Sequence, residues 1–519
     1  IKEIWEIAPE ALYPFCRMQN VGGTVLTQIN DMIEKDNYIG PSVPMLAPIY
    51  ALSTKPNLKY LDIWKTIPGS KALSLLTPKM MKNTISAKYV ARCFQRFTRR
   101  ESLLFLPQLV QSLRFDKSEV LREFLIGYCK QSEVFCHYLL WNILAEKNNP
   151  IGNNDKLPSI LKDLEKTIID NENEFGLIDK LDEVSQKLLP MEIDQRPPAF
   201  IDMLNELELP EGLYIPSNPN YKIISIDSEH SVPLKSHARV PILVHFQVYD
   251  ENDEEKKPIP FSCIFKIHDD VRQDAMMIQF IDMIKQILND AGIDHYLFPY
   301  RVFATGENRG VIECIHNAKS RHDLGVATNE FLLTYFINKY GQVGTPGFQR
   351  AQDNFIKSVA PYSLICYLFQ VKDRHNANIM IDEDGHMLHI DFGFIFEISP
   401  GGNMKFEKAP FKLTREMIDV LGGSKDALAF QKFVKLLTKC FFAVRARHEE
   451  LEAITSLMMN AGFPCFLPDS IKKLQARMFI NKSAKETCNE IIKLVDSSYE
   501  SSFTTMYDGF QKKSNDIWF

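Results

Sequence analysis

The chain has 519 residues, 45% of them hydrophobic and 24% charged, with a formal net charge of −6. That length suits about two to four domains with ample core. The mild acidity offers no global attraction to nucleic acid or anionic lipid, so any such contact has to be local.

Residues 1 to about 190 read as helical throughout. Apolar positions recur at three- and four-residue steps in Tyr89 to Phe97, Leu103 to Leu113, Val120 to Cys129 and Val134 to Leu144. Short polar breaks between them predict antiparallel helix pairs in a small solenoid without a strict repeat, a scaffold with nothing catalytic in it. A polar, acidic stretch from Asn148 to Asp194 carries one more predicted helix, Phe175 to Leu189, before Pro190 and Arg196-Pro-Pro198 mark a boundary. From Gly212 the text turns to β. Strands are predicted at Tyr221 to Ile226, Pro241 to Tyr249 and Phe261 to Ile267, then a helix at Ala275 to Ala291 and strands at Tyr300 to Ala304 and Gly310 to Ile315. Helices dominate from Arg321 onward. The predicted fold class is α+β. A helical, solenoid-like accessory domain (1–195) precedes a linker and sheet-bearing lobe (196–315) and a helical lobe (316–519).

The most informative stretch lies in that last lobe. Asp373-Arg-His-Asn-Ala-Asn378 supplies an acid, an imidazole and an amide within six positions, and Asp391-Phe-Gly393 follows eighteen residues after the first acid. Between them, two short apolar runs flank an Asp-Glu-Asp-Gly turn, which predicts a hairpin bringing Asn378 and Asp391 side by side. An amide oxygen and a carboxylate converging beside a base suit magnesium and a phosphoryl donor. The spacing matches the catalytic and metal loops of protein kinases, although the tripeptide runs Asp-Arg-His instead of His-Arg-Asp.

Such a site needs a cation on the nucleotide phosphates. Lys266, inside the strand Cys263-Ile-Phe-Lys-Ile267, is the candidate, with Asp274 at the start of the next helix as its orienting partner. No Gly-x-Gly-x-x-Gly loop lies between the first two strands. The turn containing Pro233, Leu234, Lys235 and Ser236 stands in its place, with hydroxyl and backbone donors for phosphate oxygens. Gly341 to Gly347 reads as an ordinary loop.

Together these motifs resemble the phosphoinositide 3-/4-kinase superfamily, and within it the phosphatidylinositol 4-kinases of type III alpha. The resemblance is carried by Lys-x-x-Asp-Asp-x-Arg-Gln-Asp (266 to 274), Phe298-Pro-Tyr300, Gly310-Val-Ile-Glu313 and His389-Ile-Asp-Phe-Gly393. The alpha type is favoured by Glu313-Cys314, Ser399-Pro-Gly-Gly-Asn403 and Tyr507-Asp-x-x-Gln511, and the helical part by Leu106 to Arg114. It covers residues 85 to the end and is weak before that. It implies ATP-dependent phosphorylation of the inositol 4-hydroxyl of phosphatidylinositol, using magnesium or manganese. Lys266 would hold the α-phosphate, Asp274 and Tyr300 an inner pocket guarded by Ile312. Glu313, Cys314 and Ile315 would form the adenine hinge, Met380 and Ile390 the opposite face of the base. Asn378 and Asp391 would bind the metal, and Asp373 and His375 would act at the attacking hydroxyl, with either one as the base. Two positions depart from the pattern: His268 stands where many relatives have glycine, and Ala377 where glycine or serine is usual.

The expected lipid contact is the loop after Asp391, where Lys405, Lys408 and Lys412 are too sparse for an already phosphorylated inositide and suit a single phosphodiester. The tail carries a predicted stripe at Val495, Tyr499, Phe503 and Tyr507, and its terminal Trp518-Phe519 reads as a membrane-interface contact. Ten scattered cysteines without a Cys-x-x-Cys pair read as reduced, cytosolic core residues. No apolar run reaches bilayer-spanning length and no signal peptide is read at the start, so no membrane-spanning segment is expected, and the family resemblance implies a peripheral enzyme at the plasma membrane. The chain opens on Ile1 in helix-like text, which predicts a longer protein upstream; that region and the helical half would bind adaptors, and no nucleic acid partner is expected. The rival readings are a protein kinase of the PI3-kinase-related branch and a catalytically silent scaffold.

Overall fold

The computed structural model describes residues 1–19, 23–36, 39–53, 56–146, 156–165, 171–234, 239–400 and 408–518. Lys235, Ser236, Lys405 and Phe519 lie outside them. The chain forms two compact units. The first comprises Ile1–Arg272, Arg301–Cys314 and Glu449–Phe463; the second comprises Gln273–Tyr300, Ile315–His448 and Pro464–Phe519.

In the first unit the predicted helices form where the periodicity placed them, at Thr84–Phe94, Val120–Cys129 and Glu133–Glu146. The stretch read as one helix from Leu103 to Leu113 is two, Arg99–Leu104 and Leu106–Leu113, because Pro107 lacks the amide to continue a helix and starts a new one. The predicted helix in the acidic stretch spans Asn171–Leu188. The sheet contains β1 (Tyr214–Ile215), β2 (Asn218–Pro233), β3 (Ile242–Asp250), β4 (Ile259–Ile267), β5 (Val302–Gly306) and β6 (Arg309–Glu313). Its order is β1-β2-β3-β4-β6-β5, every pair antiparallel. Strict alternation drives β3: Ile242, Val244, Phe246 and Val248 are buried, as are Cys263, Phe265 and Ile267 of β4. Helix Glu133–Glu146 covers this layer. Trp141 is fully buried in its core, and Tyr138 donates its hydroxyl hydrogen to the Ser217 carbonyl at 2.8 Å.

In the second unit the helix read as Ala275 to Ala291 spans Arg272–Asp290. Although it was expected with the sheet, from Gln273 on it groups with the later helices: Phe280 stacks on Phe369 at 4.4 Å and meets Phe396 at a tilt of 59°. A long helix, Pro346–Phe369, begins under a Thr345 cap, packs against Leu428–Ala446 and stops at Gln370 in the left-handed region. The loop Gly341 to Gly347 precedes it, as expected. A small sheet of β7 (Ala318–Ser320), β8 (Ile379–Asp382) and β9 (Met387–His389) contains the predicted hairpin. The tail is two helices, Ala484–Ser498 and Ser502–Asn515, so the stripe from Val495 to Tyr507 does not share one helical face. The break comes at Glu500, which has φ 47° and donates its amide to the Leu413 carbonyl. Among the described residues, no helix is long and apolar enough to cross a membrane, and the ten cysteines form no disulfide.

Candidate active site

The hairpin does what its sequence predicts. Ile379 pairs with His389, and the Ile390 amide donates to the Asn378 carbonyl at 3.1 Å, so Asn378 and Asp391 are neighbours at its open end. Arg374, only 3% exposed, fastens the two loops. It donates to the Ile390 carbonyl at 2.8 Å and to the carbonyl of Asp391. Both Asp373 (φ 63°) and Asp391 (φ 60°) adopt left-handed backbone, which non-glycine residues hold only where the surroundings impose it.

His375 Nε2 lies 3.7 Å from Asp373 Oδ1 and 3.3 Å from Asn378 Nδ2. Burial lowers the imidazole pKa below its ordinary value; Asp373 pulls it back up only in part, and Arg374 pushes it down. The Asn378 amide nitrogen donates to the Asp373 carbonyl at 3.0 Å and toward the His375 ring, which leaves its oxygen as the atom to offer a cation. An amide oxygen beside a carboxylate is a fitting donor pair for a hard divalent ion. No group of three or more His, Cys, Asp or Glu among the described residues could hold a metal, so phosphate oxygens and water would have to complete the shell. Tyr300, buried, accepts the Asp391 amide on its hydroxyl at 3.3 Å, and burial raises its pKa well above the ordinary value. Met380 and Ile390 are half-buried on and beside the hairpin.

Lys266, Glu313 and Cys314 lie in the first unit. Lys266 sits on the face of β4 opposite Phe265, and its Nζ is 3.3 Å from Asp269 Oδ2. Across the strand pair stands Gly310, where a Cβ would come within 2.1 Å of Val271 and 2.8 Å of the Phe303 carbonyl oxygen; only glycine fits. His268 is exposed with φ 60°, a left-handed conformation that glycine adopts without strain. Glu313 accepts Ser217 Oγ at 2.6 Å, and burial raises its pKa. The amides of Glu313 and Cys314 are spent on the Arg301 and Ser262 carbonyls, both at 2.9 Å. Neither amide is therefore left to donate to the adenine expected beside it. Pro233 and Leu234 are half-buried at the end of β2, and Ile312 is half-buried on β6.

A model of the family described as phosphatidylinositol 3- and 4-kinase matches residues 260–467, and one for the accessory (PIK) domain of the phosphoinositide 3-kinase family matches 50–175. Phosphatidylinositol 4-kinase alpha 2 of Arabidopsis thaliana is 32% identical over 480 residues, covering 88% of this chain and 87% of that protein. The chain belongs to the phosphatidylinositol 3- and 4-kinase family. Phosphatidylinositol 4-kinase stt4 of Schizosaccharomyces pombe is 36% identical over 88% of the chain, and STT4 of Saccharomyces cerevisiae 35% identical over 90%. The chain spans about a quarter of the length of these two relatives, 26% in each case.

Two of the expected lipid-contact residues need correction. Lys412 is not a solvent-facing headgroup lysine. It is 6% exposed, with Nζ 2.7 Å from Asp508 Oδ1 and 3.2 Å from Asn376 Oδ1, because a buried ammonium needs a buried partner. Trp518 is docked on protein instead of being held out to lipid: its indole lies 4.1 Å from the Arg321 guanidinium and its amide donates to His322 Nδ1 at 2.8 Å. Lys408 is exposed, beside Phe503. The sequence reading missed Arg374, Gln273 and the inward side of Ser502–Asn515. Arg-Gln-Asp and Tyr507-Asp-x-x-Gln511 were visible as motifs, but their partners lie about a hundred residues or more away in the chain.

Proposed function

We propose that this chain transfers the γ-phosphoryl group of ATP to the inositol 4-hydroxyl of phosphatidylinositol, giving phosphatidylinositol 4-phosphate at a membrane surface. The observation that carries the proposal is the cluster of Asp373, His375, Asn378 and Asp391 in one fastened pair of loops, in a chain whose relatives are named phosphatidylinositol 4-kinases. His375 is the proton acceptor: burial favours the neutral ring, and Asn378 donates toward Nε2, making it the nitrogen with the lone pair. Asp373, already accepting from Tyr507 and Gln511, orients the hydroxyl and steadies the imidazolium as it forms. Asn378 and Asp391 would hold magnesium, or manganese, which when bound neutralises phosphate charge. In the first unit Lys266 would hold the α-phosphate. In the second, Asp274 and Tyr300 would line an inner pocket.

Lipid contact is assigned to the exposed Lys408 and to the outer face of Ser502–Asn515, where Met506 and Phe510 are 60% and 58% exposed beside Lys512 and Lys513. Adaptor proteins at the plasma membrane would dock on the helical part. The test is labelled ATP with phosphatidylinositol vesicles and a protein substrate, followed by identification of the product isomer. The 4-phosphate is expected. A 3-phosphate overturns the assignment, a phosphorylated protein favours the protein-kinase reading, and no turnover favours the scaffold.

A further inference from the structure

Helix Ser502–Asn515 turns Tyr507 and Gln511 inward, one helical turn apart, with the exposed Asn515 one turn further along. Tyr507 and Gln511 are buried, at 6% and 5% exposure. Their hydrogen bonds run in one direction. Asn515 Nδ2 donates to Gln511 Oε1 at 2.5 Å, which fixes which way the Gln511 amide faces. Gln511 Nε2 then donates to the Tyr507 hydroxyl oxygen at 2.7 Å and to Asp373 Oδ1 at 3.3 Å. With its oxygen accepting from Gln511, the Tyr507 hydroxyl directs its own hydrogen to Asp373 Oδ1. Asp508, next along the helix, binds Lys412, which donates to Asn376 Oδ1, and Asn376 Nδ2 in turn donates to the Trp518 carbonyl at 3.1 Å. Two residues of the catalytic loop, Asp373 and Asn376, are thus tied to the C-terminal segment.

Asp373 needs such support. Its backbone is left-handed, and the terminal torsion of an aspartate is broad, so the loop alone does not fix where the carboxylate points. We infer that Tyr507 and Gln511 are positioning residues for Asp373, which makes the C-terminal helix a working part of the phosphoryl-transfer site. A helix that only covered the loop would require no ordered series of donors ending on one carboxylate oxygen. The inference rests on the proposed function for the role of Asp373.

The test uses the full chain with phosphatidylinositol vesicles and labelled ATP. Tyr507→Phe keeps the ring and removes the donor. It should lower kcat about tenfold to a hundredfold, the range lost when a reacting group is slightly misplaced, while KM for ATP and the thermal midpoint stay near wild type. Added to Asp373→Asn, it should cost nothing further, since Tyr507 acts through the carboxylate. Unchanged kcat in Tyr507→Phe, or a full independent loss in the double variant, overturns the inference. A rise in turnover also overturns it and marks the helix as a brake. If Tyr507→Phe does not fold, Gln511→Met leaves the hydroxyl in place but undirected and is read against the same criteria. Wild-type turnover of a different substrate strikes the proposed function instead, and the Tyr507 comparison on that substrate still decides the role of the helix.

Discussion

The Phe392 amide donates to Asp274 Oδ1 at 2.7 Å. One residue earlier on the same helix start, Gln273 Nε2 donates to the Phe392 carbonyl at 3.1 Å and the Gly393 carbonyl at 2.7 Å. Two buried side chains therefore hold Asp391-Phe-Gly393 by its backbone. Asp274→Ala should cost about 1–3 kcal/mol in denaturant unfolding, the penalty for a buried donor left unmade, and should lower turnover more than stability explains. Asp274→Asn retains an acceptor oxygen and should keep most of the stability.

That clamp shows what was legible in the sequence and what was not. The alternation of Ile242, Val244, Phe246 and Val248 announces a strand, and the Asn378 to Ile390 text announces a hairpin, because both signals are local. Arg272-Gln-Asp274 could be read as a motif at a helix start, but no local rule says that its side chains reach residues 392 and 393. The same limit misplaced Lys412. Three spaced lysines in a loop look alike until one meets Asp508, 96 residues on. Trp518 read as an interface indole because Arg321 and Gly325 are invisible from the tail.

Lys412 and Asp508 form a buried pair, with side chains 3% and 10% exposed. Lys412→Met leaves a carboxylate buried without its ammonium and should cost about 3–5 kcal/mol. Lys412→Met with Asp508→Leu should recover much of that loss, a coupling that a double-mutant cycle by thermal melting reads directly. Lys412→Glu would set two carboxylates together and unseat the C-terminal helix, so a charge reversal there reports on folding. Lys408→Glu, at an exposed position, is the substitution that tests lipid contact.

Acid should destabilise the fold through the buried His389 and the half-buried His295. Burial holds His389 well below the ordinary 6.5, with Arg374 and Lys412 adding to the effect, and burial also lowers His295. Both rings are neutral in the folded chain, whereas the unfolded chain takes up protons on them below the ordinary value. Stability is therefore full above that value and falls as pH drops from it toward the folded values. The slope is about 1.4 kcal/mol per pH unit for each group in that window. Denaturant midpoints at about pH 7.5 and about pH 5.5 measure it, and His389→Leu should flatten the dependence. A steeper loss in the variant would count against the assignment.

Gly325 lies directly under Trp518. A Cβ at Gly325 would come within 2.1 Å of Trp518 Cδ2 and 2.4 Å of Cε3, so Gly325→Ala must displace the indole. Alanine improves the helix Arg321–Thr328 by about 1 kcal/mol on propensity alone. Against that stand a cation–π contact with Arg321, worth about 0.5–2 kcal/mol, and the two backbone hydrogen bonds of Trp518 to His322 and Asn376. The net change in global stability should be small, but the tie from the tail to Asn376 in the catalytic loop is lost. Gly325→Ala is therefore expected to shift tryptophan emission to longer wavelength and to lower turnover, without a matching fall in melting temperature. Trp518→Ala should lower turnover to the same degree, and combining the two should cost no more than either alone. The discriminating condition is detergent-dispersed substrate. A tail that acts by holding the loop loses activity there as well, whereas a tail that acts by entering a bilayer loses activity only on vesicles.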